Sequence, residues 1–168
     1  KGINTTGLEI SKTKKTLHWH GRYHTDMNNR DSITTELNAF EDFNPIIPDS
    51  FKDSEFVCLG NVNPEIQKKV IKQLINPKFI MIDTMNFWIE GKLEALKETM
   101  QLVDMMVIND SEAKMLAEEN NLLLAAKKIF SMGPKMMIIK KGEHGALLIT
   151  KDFLFSVPAF LLEQVFDP

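Results

Sequence analysis

Apolar residues are distributed along this chain in two textures. Over residues 1–55 they are scattered among Thr, Asn and Asp, and only "TKKTLHWHGRY" and "SITTELNAF" show the partial apolar–polar alternation of strands. From Phe56 onward, short continuous apolar runs recur: "EFVCLG", "KFIMID", "MMVIN" and "MMIIK". Such runs predict strands buried on both faces, as a parallel sheet requires. Their starts at Phe56, Phe79, Met105 and Met136 are 23, 26 and 31 residues apart, which leaves room for a crossover helix in each interval.

The intervals carry helical patterns. "NPEIQKKVIKQLI" opens with Asn63 as an N-cap and Pro64 at the first helical position, and its Ile66, Val70, Ile71 and Leu74 fall on one face. "FWIEGKLEALKETMQLV" predicts a second helix, and "DSEAKMLAEE" with "LLLAAKKIFSM" a pair closed by Gly133-Pro134. "GALLIT" and "FLFSV" then read as an antiparallel hairpin around Lys151-Asp152. The expected fold class is α/β, a three-layer, doubly wound, mostly parallel sheet.

Composition narrows the function. With 168 residues, 43% hydrophobic and 26% charged, the chain has the make-up of a globular domain with a sizeable core. Its net charge of -3 gives no basic stripe for nucleic acid. No apolar run is long enough to span a bilayer. The single cysteine, Cys58, argues against a disulfide framework, fits a reducing cytoplasm, and is expected as a small buried hydrophobe.

In open α/β sheets ligands bind beyond the carboxyl ends of the strands, so the chemistry is sought there. Asp83 could face a ligand hydroxyl, though capping of the next helix is the commoner use of such an acid. Asn109 and Glu112 at the start of a helix suit plain cap and dipole chemistry; an amide and an acid there also suit a hydrated Mg²⁺ carrying phosphates. Gly142 and Gly145 give either a tight turn between strands or a close backbone approach to a phosphate. The turn is neither a Walker A loop nor a dinucleotide fingerprint, since it opens no helix. In "HWHGRYH", His18, His20, Arg22 and His24 share one parity and would face the same way. No fourth ligand stands beside them, so they read as solvent-side or substrate-side groups rather than a zinc site.

Taken in order, "DTMN", "NDSE", "KKGEHGA" and "VFDP" resemble the ribokinase-like, or PfkB-type, carbohydrate and nucleoside kinases. The resemblance covers most of residues 56–168. It implies ATP-dependent phosphoryl transfer to a hydroxyl of a sugar or nucleoside, with ATP, Mg²⁺ and K⁺ as the expected cofactors. Asn109 and Glu112 match the pair that helps place Mg²⁺ and the triphosphate, with Glu112 acting on the metal through water. Lys140, Lys141, Gly142 and Gly145 match the segment lining the nucleotide, although the family more often has a small or hydroxylated residue where Lys140 stands. Asp167 matches the first acid of a glycine-rich signature, a position associated with a monovalent cation. Residues 1–55 look like the small β lid and its return to the main sheet, and residues 56–168 like the nucleotide-binding core. His18, His20, Arg22, Tyr23 and Asn28 are the lid residues expected to face the substrate.

The catalytic base and the anion-hole glycines are expected just beyond Pro168, and an N-terminal substrate segment before Lys1. The chain is therefore expected to be an internal piece, inactive alone. Another Rossmann-like enzyme and a degenerate, non-catalytic ligand-binding module are the competing readings. Homodimerisation through the lid is a further expectation, because an exposed sheet edge invites strand pairing.

Overall fold

The computed structural model describes residues 2–25 and 30–164. A two-stranded antiparallel sheet comes first, β1 (His18–Tyr23) against β2 (Arg30–Glu36). A 3-10 turn at Asn38–Phe40 and the short helix α1 (Asp49–Lys52) lead into a six-stranded sheet. Its strands are β3 (Phe56–Leu59), β4 (Phe79–Asp83), β5 (Met105–Asn109), β6 (Met136–Lys140), β7 (Ala146–Thr150) and β8 (Leu154–Val157), and they lie side by side in that order. β3 to β6 run parallel, and β7 and β8 join antiparallel. The connecting helices are α2 (Pro64–Ile71), α3 (Asn86–Gly91), α4 (Leu93–Met100), α5 (Asp110–Ala117) and α6 (Leu122–Phe130).

Right-handed crossovers between strands laid down in sequential order send every helix to the same side of the sheet. The core shows this. Ile80, Ile82, Met106, Ile108, Met137, Ile139 and Ile149 alternate inward along β4 to β7 and pack with Ile89, Leu96, Met100, Leu116 and Ile129 of the helices. Each such fully buried aliphatic side chain contributes about 1.5–3 kcal/mol. The mostly parallel sheet with its packed helices is of the α/β class that the sequence led one to expect. Residues of opposite parity, such as Met81, Val107 and Ile138, are only half-buried.

That arrangement corrects several expectations. Strands β4 and β5 are buried on one face and half-buried on the other, but β3 buries only Val57 and Leu59 against the core and β8 is exposed throughout. Cys58 is consequently exposed rather than buried, because it shares with Phe56 the uncovered face of an edge strand. The second helix is two helices: Lys92, at φ -143° and ψ 35°, leaves the helical region between Gly91 and Leu93. The break lets α3 bury Trp88 and Ile89 while α4 buries Leu96 and Met100. "SITTELNAF" is strand only to Glu36; its end turns with Asn38 at φ 51°.

The amino edge of the large sheet is tied by acids placed just before strands. Asp104 accepts from Ile80 N at 3.0 Å and from Lys135 Nζ at 2.8 Å, and its carbonyl takes the amides of Lys135 and Met136. One side chain therefore registers β4, β5 and β6. Burial pushes its carboxyl up, but the Lys135 and Ile80 hydrogen bonds and the Lys135 charge outweigh this and hold it below its ordinary value. Gly133 reaches the same edge at φ +144°, where an added Cβ would lie 2.3 Å from the Met100 carbonyl oxygen.

Candidate functional site at the carboxyl edge of the sheet

The carboxyl ends of β4, β5 and β6 bring Asp83, Asn109 and Lys140 together. Asp83 is in register with Val107, and Asn109 with Lys140, so the three ends lie side by side. Helix α5 starts directly from β5, which puts Glu112 among them.

Asn109 and Glu112 form a reciprocal capping box. Asn109 Oδ1 accepts from Glu112 N at 2.8 Å, and Glu112 Oε2 accepts from Asn109 N at 2.8 Å. This satisfies two of the amide donors that a helix start leaves open. The cost falls on the carboxylate, which is only 4% exposed. Desolvation pushes the Glu112 carboxyl above its ordinary value, the Asn109 hydrogen bond and the Lys140 charge oppose that, Asp83 adds to it, and Arg30 at the start of β2 opposes it. One carboxylate, Asp83, and two cations, Lys140 and, from the small sheet, Arg30, thus act on Glu112.

Asp83 does not cap α3. The helix begins three residues later with Met85 at its N-cap and no side-chain cap, while Asp83 Oδ1 accepts from Thr84 N at 2.8 Å. Its other oxygen, Oδ2, faces Lys140 Nζ at 3.6 Å. Beyond Lys140 the chain turns through a 3-10 turn at Gly142–His144 and closes with Lys141 N donating to Gly145 O at 2.8 Å. Gly142 has φ +55° and Gly145 φ +84°, conformations that L side chains rarely adopt. A Cβ on Gly145 would also lie 2.0 Å from Val157 O, so the glycine lets the turn close against the end of β8.

Sequence reasoning missed Gln67. Its Nε2 donates at 2.9 Å to both Gly60 O and Asp83 O, holding together the loops that follow β3 and β4. The available signal was a lone amide beside Ile66 on the buried face of α2. Gln67 Oε1 and the buried hydroxyl of Thr84 have no hydrogen-bond partner among the described residues. Trp88 Nε1 donates to Asn61 Oδ1 at 2.9 Å and braces the same loops. Arg30 was missed as well, and nothing in the sequence links it to Glu112.

His18, His20 and Arg22 project to one exposed face of β1, despite a register shift between His20 and Gly21. His24 instead pairs with Asp31 at 3.1 Å. Among the described residues no group of three or more His, Cys, Asp or Glu side chains is placed to hold a metal ion, and no helix is long and apolar enough to cross a membrane. Asn28 and Asp167 lie outside the described residues. A cavity of about 220 Å³ separates the return from β2, at Leu37, Phe40 and Glu41, from Trp88 and Lys92.

The profile of the pfkB family carbohydrate kinases matches residues 1–168. The chain is 26% identical to a cytidine kinase of Thermococcus kodakarensis over 172 residues, covering 99% of this chain and 60% of that one. Among solved structures, a Burkholderia thailandensis nucleoside kinase in complex with inosine superposes with a TM-score of 0.71 at 17% identity, over 99% of this chain and 55% of the other. An adenosine kinase from Sinorhizobium meliloti gives 0.74 at 18% identity, over 90% and 49%. The chain therefore spans between about half and 60% of the length of these relatives.

Proposed function

The chain belongs to the pfkB family of carbohydrate kinases, and from that premise we propose that the whole protein transfers the γ-phosphoryl group of ATP to a hydroxyl of a sugar or nucleoside. The observation that carries the reading is the cluster of Asp83, Asn109, Glu112 and Lys140 at the carboxyl edge, followed at once by the Gly142–Gly145 turn. In the reaction a bond forms between the acceptor oxygen and the γ-phosphorus. The bond from that phosphorus to the β,γ-bridging oxygen breaks, ADP leaves, and the hydroxyl proton passes to a base. Such transfer depends on positioning and on offsetting negative charge.

The described residues supply positioning and charge. Lys140 offers a flexible ammonium to a phosphate, and the Gly142–Gly145 backbone admits a nucleotide without side-chain obstruction. A buried carboxylate with one oxygen committed to the Asn109 amide suits a hydrated Mg²⁺ approached through the other oxygen. Magnesium, when bound, offsets the charge of the phosphates. Asp167 is the proposed neighbour of a K⁺ ion, and the base is proposed to lie beyond Pro168.

Residues 1–55 serve as the lid and its return in this reading, and residues 56–168 as the nucleotide-binding core. The lid's exposed face presents His18, His20 and Arg22 to the acceptor, Asn28 is a further proposed acceptor contact, and the lid's edge is a proposed dimer contact. The kinase names of the relatives make nucleosides the first acceptors to try. The test incubates the full-length protein with Mg·ATP and a panel of cytidine, inosine, adenosine and ribose, following ADP and the phosphorylated product. Product from at least one acceptor is expected, and none from the 168-residue chain alone. No product from any acceptor, with the protein folded, rejects the reading; turnover by the chain alone rejects its proposed inactivity.

A further inference from the structure

The Asp83–Lys140 pair crosses the mouth of the site in a form built to come apart. Its 3.6 Å separation is too long for a good hydrogen bond, and both side chains are partly exposed, at 35% and 48%. An exposed ion pair of this kind is weak. A lysine bonded to a phosphate makes a shorter, charge-assisted contact to a more concentrated negative charge. Lys140 has a long, flexible stem and, among the described residues, no second salt bridge, its charge reaching Glu112 only at longer range. Asp83, by contrast, is held fast: Thr84 N fixes Oδ1 and Gln67 fixes the main-chain carbonyl. When the pair opens, Lys140 is the side chain that moves and Asp83 Oδ2 is the oxygen left facing the site.

We propose that Asp83 and Lys140 form an exchangeable latch that couples the two substrates. The donor's phosphates draw Lys140 away, and the freed Asp83 oxygen then accepts a hydrogen bond from a hydroxyl of the sugar ring of the acceptor. The inference rests on the kinase reading and adds to it a coupling between sites. Before the donor binds, the ammonium occupies the oxygen that the acceptor needs. Acceptor affinity therefore rises when donor is bound and, by linkage, donor affinity rises equally when acceptor is bound.

The experiment uses the full-length protein and the best-phosphorylated member of the acceptor panel. Calorimetry measures the acceptor Kd without nucleotide and with saturating Mg²⁺ and a non-hydrolysable ATP analogue. The parent is expected to bind acceptor about tenfold more tightly with the analogue present, and Lys140→Met and Asp83→Asn to cut this factor to about twofold or less. Lys140→Arg keeps the cation and is expected to retain most of the coupling. A structural role for the pair would change melting temperature, whereas the latch changes the ratio of two affinities in protein that is folded in both measurements. Either variant decides the matter alone if the other fails to fold. Equal affinities in the parent, or a full tenfold factor surviving in a folded variant, overturns the latch while leaving the kinase reading in place. Absence of any phosphorylated acceptor overturns both.

Discussion

One sheet carries an Asp–Lys pair at each end, and the two pairs have opposite characters. At the amino edge, Asp104 meets Lys135 at 2.8 Å, takes the Ile80 amide as well, and has its carboxyl held below the ordinary range. At the carboxyl edge, Asp83 meets Lys140 only at 3.6 Å, and the nearby Glu112 carboxyl is pushed above its ordinary range, chiefly by burial. The same residue types thus act as a fastening at one end and remain available at the other. The number of hydrogen bonds each carboxylate has secured makes the difference: a satisfied charge stabilises the fold, and an under-satisfied one responds to a ligand.

The comparison breaks most readily at Gly133. Gly133→Ala is expected to cost about 3 kcal/mol, because a side chain at positive φ would also strike the Met100 carbonyl; chemical denaturation measures the loss. Next is Asp104→Ala, expected to cost about 2 kcal/mol by removing hydrogen bonds to a charged group and leaving a strand amide unpaired. The sign of its pH dependence follows from the lowered carboxyl. The parent's advantage is complete above the ordinary Asp value of 3.8 and is lost as pH falls through the lower, folded value. Urea melts of parent and variant from pH 7 to pH 3 check this.

Glu112→Gln sharpens the contrast, since glutamine keeps the capping box and removes the buried charge. Because the folded carboxyl lies above its ordinary 4.5, the parent loses stability as pH rises through that interval. The variant is expected to melt no lower than the parent at pH 7, and to gain on it as the pH rises from 4.5. Magnesium-dependent turnover by the full-length protein is expected to fall well below the parent's, and unchanged turnover at limiting Mg²⁺ would reject the role given to Glu112. The smallest effect on stability belongs to Lys140→Met, within about 0.5 kcal/mol, as for other exposed ion pairs. A cost approaching that of Asp104→Ala would erase the distinction between the two edges.

The amino-acid sequence made some of this visible. β3, β4, β5 and β6 start at the very residues where the apolar runs begin, because strands of a parallel sheet are apolar along most of their length and turn polar here only at the carboxyl ends of β4, β5 and β6. The Asn63 cap and the hairpin after Gly145 were equally plain, being local chemistry. What escaped detection was relational. Cys58 has the neighbours of a core residue, and its exposure depends on β3 lying at an edge. The break at Lys92 answers to which faces α3 and α4 must bury. At the site, Asn109, Glu112 and Lys140 were legible from strand-end position, whereas Gln67 and Arg30 enter through contacts with residues far along the chain that no spacing records.

Gln67 holds two loops with one nitrogen, and its amide group is chemically perishable. Conversion of that amide to a carboxylate, whether by mutation or by slow hydrolysis in an ageing protein, would replace the donor with an oxygen facing two carbonyl oxygens. The attachment would become a repulsion, and Gly60 and Asp83 would part from the same cause at the same moment. A gain of one mass unit at a single buried position would then mark the molecules whose carboxyl edge has come loose.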